Sequence, residues 1–178
     1  MGHTLVAVFG DDLTASLAMA LRGHSVNKIP FGRTEKREAA DRVLPYHTTL
    51  MHWAKEDDGL YLRRTKQITV RPFSFVAERP AVWRASDSEY LCVLELSLGS
   101  GAGAMQRELL RLYKKAMGRT MHITVSVSRD ENDVQQVRHL LRRSLTFPHV
   151  LPVTALELYH IWEPVRLVRR FLPEGGTP

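Results

Sequence analysis

The stretch MHITVSVS, Met121–Ser128, alternates apolar and polar side chains along its whole length. A period of two is typical of a strand with one buried face. The other face would display an imidazole and three hydroxyls, from His122, Thr124, Ser126 and Ser128. A histidine two residues before a threonine on a free strand face suggests chemistry as well as packing. Ser126, on the same predicted face, is a candidate substrate contact.

A second stretch, YHTTLMHW at 46–53, repeats this arrangement earlier in the chain, with its histidine 122 − 47 = 75 residues before the other. His47 and Thr49 share a face, as His122 and Thr124 do, because residues two apart point the same way along a strand. If the strand is regular, Trp53 lies on that face too and can stack on a base. The alternative for Trp53 is a core or rim position.

Two such units fit in-line phosphoryl transfer without a metal ion. One neutral imidazole can take a proton from the attacking oxygen while an opposite imidazolium gives one to the leaving oxygen, since histidine holds both forms near pH 7. Each threonine hydroxyl can donate a hydrogen bond to a phosphate oxygen. Alternatively, the histidines are ordinary surface or buried residues, and the threonines are simply good strand formers.

The rest of the chain reads as alternating strands and helices, which predicts an α+β protein of two similar halves. Between the motifs and after them we expect long strands, two amphipathic helices and a final strand. The predicted elements are a strand at 4–9, helices at 11–23, 104–118 and 128–145, strands at 66–86, 89–98 and 153–162, and a possible short helix at 34–42 in a polar loop. Ser128 and Glu131 fit a capping box at the start of the last helix.

The composition of the chain restricts the kinds of protein that it can be. The chain has 178 residues, 44% of them hydrophobic, which suffices for one core. A net charge of +6 gives a modest bias toward phosphate-bearing partners, although an ordinary basic surface is the alternative. The single cysteine, Cys92, excludes an internal disulfide framework. With neither a span of ~20 apolar residues nor a signal-type N-terminus, we expect a soluble, cytoplasmic protein with no membrane partner.

The sequence contains two other candidate sites, one for a dinucleotide and one for a metal ion. GSGAGA, Gly99–Ala104, matches the dinucleotide-binding pattern, but the acidic residue expected about 20 positions later is missing, so a connector is favoured. His47 and His52 could suggest a metal site, but their odd spacing would put them on opposite faces of a regular strand. We therefore expect no metal and no cofactor.

The paired H-T-T-L (47–50) and H-I-T-V (122–125) resemble the signature of the 2H phosphoesterase superfamily. Its members include the bacterial RNA 2′,3′-cyclic phosphodiesterases historically called 2′-5′ RNA ligases. The likeness runs from LVAVFGDD to the late LELYHI. It implies two pseudo-symmetric lobes, each an antiparallel-rich sheet with outer helices, around a central cleft, in one domain over 1–172 with a tail at 173–178.

The same resemblance implies the roles of four residues. His47 and His122 correspond to the catalytic pair, and Thr49 and Thr124 to the phosphate-binding hydroxyls. The implied activity is metal-independent hydrolysis of a 2′,3′-cyclic phosphate at an RNA end or of a related cyclic nucleotide, by a protein for which a monomer is favoured. A non-catalytic RNA- or nucleotide-binding module, or a 2′-5′ RNA ligase or phosphodiesterase, stays open as an alternative.

The sequence also departs from the family at two positions. Thr48 is polar where the family favours an apolar residue. Val127 stands five residues after the second histidine, where many bacterial members have an arginine. The Thr48 side chain is expected to face away from the cleft, and the missing arginine bears on substrate contacts more than on the chemistry.

Overall fold

The computed structural model describes residues 2–24, 46–54, 58–114, 117, 120–160 and 166–174. Within these ranges the chain forms seven strands and four helices. The strands are β1 (Gly2–Phe9), β2 (His47–Ala54), β3 (Ser74–Ser86), β4 (Glu89–Leu98), β5 (Met121–Ser128), β6 (His149–His160) and β7 (Arg166–Phe171). The helices are α1 (Asp11–Ala20), α2 (Asp58–Thr65), α3 (Ala102–Tyr113) and α4 (Glu131–Ser144).

The strands form one antiparallel sheet in the order β2-β1-β6-β3-β4-β5, and β7 adds to the free side of β6. Two three-stranded halves, β2-β1-β6 and β5-β4-β3, are joined where Ser74–Ala77 pairs with His149–Pro152. Strands β2 and β5 end the path on opposite sides, yet their Cα atoms come within 8 Å of each other. The sheet therefore curves until its two end strands meet. The predicted α+β class is confirmed, with the two lobes sharing one sheet.

The hydrophobic core lies on the side of the sheet that the helices cover. In the first half, alternate residues of β1 (Leu5, Ala7 and Phe9) pack with Leu13 and Leu17 of α1. In the second half, α4 packs across β3, β4 and β5. Its buried stripe, Val134, Val137 and Leu141, follows the helical spacing of its sequence. This packing leaves the opposite face of the sheet to line the inside of the curve.

Several predicted boundaries are wrong, each for a physical reason. Residues 66–73 form no strand: Ile68, Val70 and Phe73 are buried, but the segment lacks a strand ladder. Helix α3 ends at Tyr113 because Lys114 adopts a left-handed conformation with φ 59°. Helix α4 is capped by Asp130, whose carboxylate accepts from the Asn132 amide, so the capping box is not formed. The possible helix at 34–42 lies outside the described residues.

Two elements were not predicted at all. Helix α2 has eight residues and no apolar stripe, and it is held by Tyr61, which contacts the rings of Trp53 and Tyr113. Strand β7 is exposed along most of its length, so it lacks the burial pattern that marks a strand.

The predicted domain boundary at 172 stays a prediction. Beyond it, the Glu174 amide donates a hydrogen bond to the Val70 carbonyl.

The glycine-rich turn 99–104 is the connector from β4 to α3. A side chain at Gly99 would lie 2.6 Å from the Ser74 hydroxyl, and one at Gly101 would lie 2.5 Å from the Pro72 carbonyl. Gly101 also has a φ of 73°, which favours glycine. Close packing of the turn against residues 72–74 therefore accounts for both glycines. Along the described part of the chain, no helix is long and apolar enough to cross a membrane.

Candidate active site

The two H-x-T strands share one irregularity of the backbone. On β2, Thr49 pairs with Val6 and Met51 with Leu5, so Leu50 is an extra residue in a β-bulge. On β5, Thr124 pairs with Val93 and Ser126 with Cys92, so Val125 is the extra residue. Each bulge lies three residues after its histidine. Both bulged side chains, Leu50 and Val125, are buried on the core side.

The four predicted residues lie before the bulges, where the alternation is regular. His47 and Thr49 share one face of β2, and His122 and Thr124 share one face of β5. We call this side of the sheet the motif face. Thr49 is exposed, and the other three are partly exposed. Both H-x-T units therefore lie on the motif face, on two strands that come within 8 Å of each other.

The predicted position of Trp53 is wrong. The bulge at Leu50 reverses the alternation, which puts Trp53 on the core side rather than beside His47. Its side chain is 2% exposed and lies against the rings of Tyr61 and Tyr113, at centroid distances of 5.4 and 5.9 Å. Trp53 is a core residue in this structure, not a surface on which a base can stack.

The prediction for Ser126 is wrong for the same reason. The bulge at Val125 turns Ser126 to the core side, opposite Cys92, where it is 3% exposed. Its hydroxyl has no hydrogen-bond partner there. Val127, in contrast, moves onto the motif face opposite Leu91 and is buried. A sequence pattern of period two cannot reveal these reversals, because the bulge adds one residue without changing the residue types.

Because of the bulge on β2, the side of the strand on which His52 lies also differs from the predicted one. Because the alternation is reversed after Leu50, His52 lies on the same face as His47, contrary to the regular-strand expectation. Even so, in the ranges that the structure describes, no three side chains of His, Cys, Asp or Glu are grouped as metal ligands would be.

His122 has a well-defined surrounding on the motif face. The Trp83 ring lies against its imidazole with a centroid distance of 4.6 Å and a tilt of 57°. Burial lowers the pKa of His122 below its ordinary value of 6.5, and a hydrogen bond with the Thr120 main chain opposes that shift. The neutral imidazole is therefore favoured at neutral pH, which suits a group that accepts a proton.

Glu95 of β4 stands directly opposite His122 and was not predicted from the sequence. Its carboxylate accepts from Arg79 Nε at 2.7 Å and from Trp83 Nε1 at 3.2 Å. The hydrogen bond from Arg79 holds the pKa of Glu95 below its usual 4.5, and the Trp83 bond acts in the same direction. The only sequence signal is one acid in the apolar strand YLCVLELSL, and it gains meaning once the register is known.

The first half has a buried acid of its own, farther from its motif. Thr49, Val6 and Glu157 form one row across β2, β1 and β6, and Arg170 of β7 continues it. Glu157 is 4% exposed, accepts from the Tyr159 hydroxyl and pairs with Arg170 at 3.0 Å. This acid is neutralised within its own half. It stands one strand beyond Val6, whereas Glu95 is next to His122.

Comparison with known proteins gives structural likeness only. No family model matches the sequence, and no curated protein matches it significantly. The structure is similar to Usb1 of Kluyveromyces marxianus, with a TM-score of 0.50, 15% identity and coverage of 94% of this chain and 97% of that one. It is also similar to the protein TT0787 of Thermus thermophilus, with a TM-score of 0.56, 13% identity and coverage of 99% and 100%.

A third solved structure, described as a phosphoesterase, aligns with a TM-score of 0.51 and 15% identity over 97% of this chain and 98% of its own. At identities this low, the structural alignments show a shared fold and no further property. The alignments, over nearly the full length of each chain, agree with the antiparallel sheet and the outer helices described above. The predicted α+β fold is thereby confirmed: the chain shares the fold of these three structures.

Proposed function

We propose that this protein is a phosphodiesterase of the 2H type. It hydrolyses a 2′,3′-cyclic phosphate at an RNA end, or a related cyclic nucleotide, without a metal ion. His47 and His122 transfer the protons, and the hydroxyls of Thr49 and Thr124 bind the phosphate oxygens. The basic character of the chain, +6 at neutral pH, agrees with a phosphate-bearing substrate.

One observation carries this proposal. The two H-x-T units lie on end strands that are remote along the sheet, yet these strands come within 8 Å of each other, and both units are on the motif face. Each unit presents its histidine and threonine before a bulge at the same position. An ordinary packing role for the two histidines gives no reason for this duplicated placement.

The surroundings of His122 favour it as the base. Its lowered pKa keeps the imidazole neutral, so that it can take the proton from an attacking water. The water oxygen bonds to phosphorus as the bond from phosphorus to the 3′ oxygen breaks. His47, in its protonated form, gives a proton to that leaving oxygen, and a 2′-phosphate and a free 3′ hydroxyl result. The threonine hydroxyls stabilise the charge that develops on the non-bridging oxygens.

The test is turnover of a short RNA that ends in a 2′,3′-cyclic phosphate, with EDTA present. We expect activity in the unaltered protein and a fall of roughly 100-fold or more in both His47→Ala and His122→Ala, the range for loss of a general acid or base. His139→Ala is the matched control, because His139 is exposed on α4, which covers the other side of the sheet.

Three results would contradict the proposal. If only one of the two histidine variants loses activity, paired acid-base catalysis is wrong. If the unaltered protein binds the RNA end without turning it over, the protein is a binding module. Joining of RNA ends instead of hydrolysis would identify a ligase with the same four residues.

A further inference from the structure

His122 has a neighbour that the proposed reaction does not use. We propose that Trp83 is a positioning residue for His122: Glu95 and Arg79 anchor its indole, and the indole holds the imidazole in a fixed orientation on the motif face. The inference rests on the proposed function, because it assigns Trp83 a part in the work of that histidine.

The register of three strands places this network. Arg79 of β3 pairs with Glu95 of β4, and Glu95 pairs with His122 of β5, so all three side chains lie in one row on the motif face. Trp83 lies on the same face of β3, opposite Leu91. Its large ring reaches across β4, and its centroid lies 4.6 Å from that of the His122 ring.

Both oxygens of the Glu95 carboxylate are occupied by this network. Oε2 accepts from Arg79 Nε at 2.7 Å, and Oε1 accepts from Trp83 Nε1 at 3.2 Å. A carboxylate opposite a histidine would ordinarily pair with the imidazolium and favour the charged form. Here the carboxylate is directed to the indole and the guanidinium instead. Glu95 therefore anchors the ring that covers His122 and leaves the neutral imidazole favoured.

Few other charged groups face His122 among the described residues. Glu95 stands opposite on β4, with Arg79 behind it on β3, and His47 lies on β2, the strand that meets β5. Helix α4 packs on the other side of the sheet, so Arg138 does not share this face. Glu95 is thus a charged side chain opposite His122 that substitution can alter without touching the motifs.

The experiment follows the titration of the His122 ring by NMR in the full-length protein and needs no turnover. We expect Arg79→Met to free the Glu95 carboxylate and raise the His122 midpoint by about 0.5 unit or more, less than a buried pair gives because Arg79 is largely exposed. Adding Glu95→Gln to Arg79→Met should return the midpoint toward that of the unaltered protein.

Arg84→Met is the matched control. Arg84 lies on the same strand as Arg79, points to the other face, and pairs with Asp87 in the turn after β3. It removes one positive charge from β3 without changing the network. Equal midpoints in the two single variants, or a midpoint in Arg79→Met that Glu95→Gln does not reverse, would overturn the inference.

Kinetics give a second readout for Trp83. A positioning role predicts that Trp83→Leu lowers kcat by roughly tenfold with little change in KM, and that Trp83→Phe retains part of the rate because a ring remains. A rise in KM with kcat unchanged would show that Trp83 binds substrate, and would overturn the positioning role. If no variant turns over substrate but the titration results hold, the network is correct and the proposed reaction is wrong.

Discussion

Strands β2 and β5 carry the same motif and the same backbone irregularity, yet the side chains opposite their histidines differ. Each pairs with one inner strand, and each bulges three residues after its histidine. Val6 and Val93, both fully buried, stand opposite Thr49 and Thr124. The surroundings of the two threonines are therefore closely matched.

The difference lies opposite the histidines. Val8 faces His47, and Ala155 stands behind Val8, whereas Glu95 faces His122 and Arg79 stands behind Glu95. One imidazole thus has apolar side chains in its row, and the other has an ion pair together with an indole. A pseudo-symmetric scaffold thus gives its two motif histidines different neighbours, and the proposed reaction, with one acid and one base, requires the two histidines to differ.

The largest expected effect is a loss of stability on truncation of the two bulged residues, and it tests whether the two bulges are equivalent. Leu50→Ala should lower the free energy of unfolding by about 3 kcal/mol and Val125→Ala by about 2 kcal/mol, since both side chains are buried in the core and truncation leaves a cavity. Urea denaturation measures both. A loss below about 0.5 kcal/mol for either variant, as at a surface site, would mean that the two bulges are not equivalent structural features.

A smaller effect tests the two hydroxyls. Thr49→Val and Thr124→Val keep the strand and remove one hydrogen-bond donor each, so we expect kcat/KM to fall roughly tenfold in each variant. Thr48→Val is the control, because Thr48 is on the same strand but is buried on the opposite face. Unequal losses in the first two variants would show that one half binds the phosphate and the other only supports it.

The smallest expected effect is a change in the pH dependence of stability, and it tests the difference between the two halves. Because the pKa of His122 is lowered on folding, the folded protein binds a proton less readily than the unfolded chain below pH 6.5. Stability is therefore fully present above pH 6.5 and is lost as the pH falls through the lowered pKa. We expect unfolding free energies at pH 7.5 and 5.5 to differ less in His122→Gln than in the unaltered protein. An equal difference in both proteins would contradict the assignment.

The sequence predicts what depends on periodicity and local pattern. It places His47, Thr49, His122 and Thr124 correctly on strands, and it indicates the fold class. It fails at Trp53, His52 and Ser126 because a bulge reverses the side of every later residue without a signal in composition. It also misses Glu95 and Trp83 as neighbours of His122, since their proximity depends on strand register across β3, β4 and β5.

The joint between the halves has a consequence for how the protein folds. The half that carries His122 is built from β3, β4 and β5, which are consecutive within residues 74–128. The half that carries His47 needs β6, whose Thr154 hydroxyl bonds to the Val8 carbonyl across 146 positions of sequence. Local contacts form early, and distant ones wait for loop closure. During synthesis we expect the second half to fold first, and the half that carries His47 to form only when β6 has emerged and paired with β1.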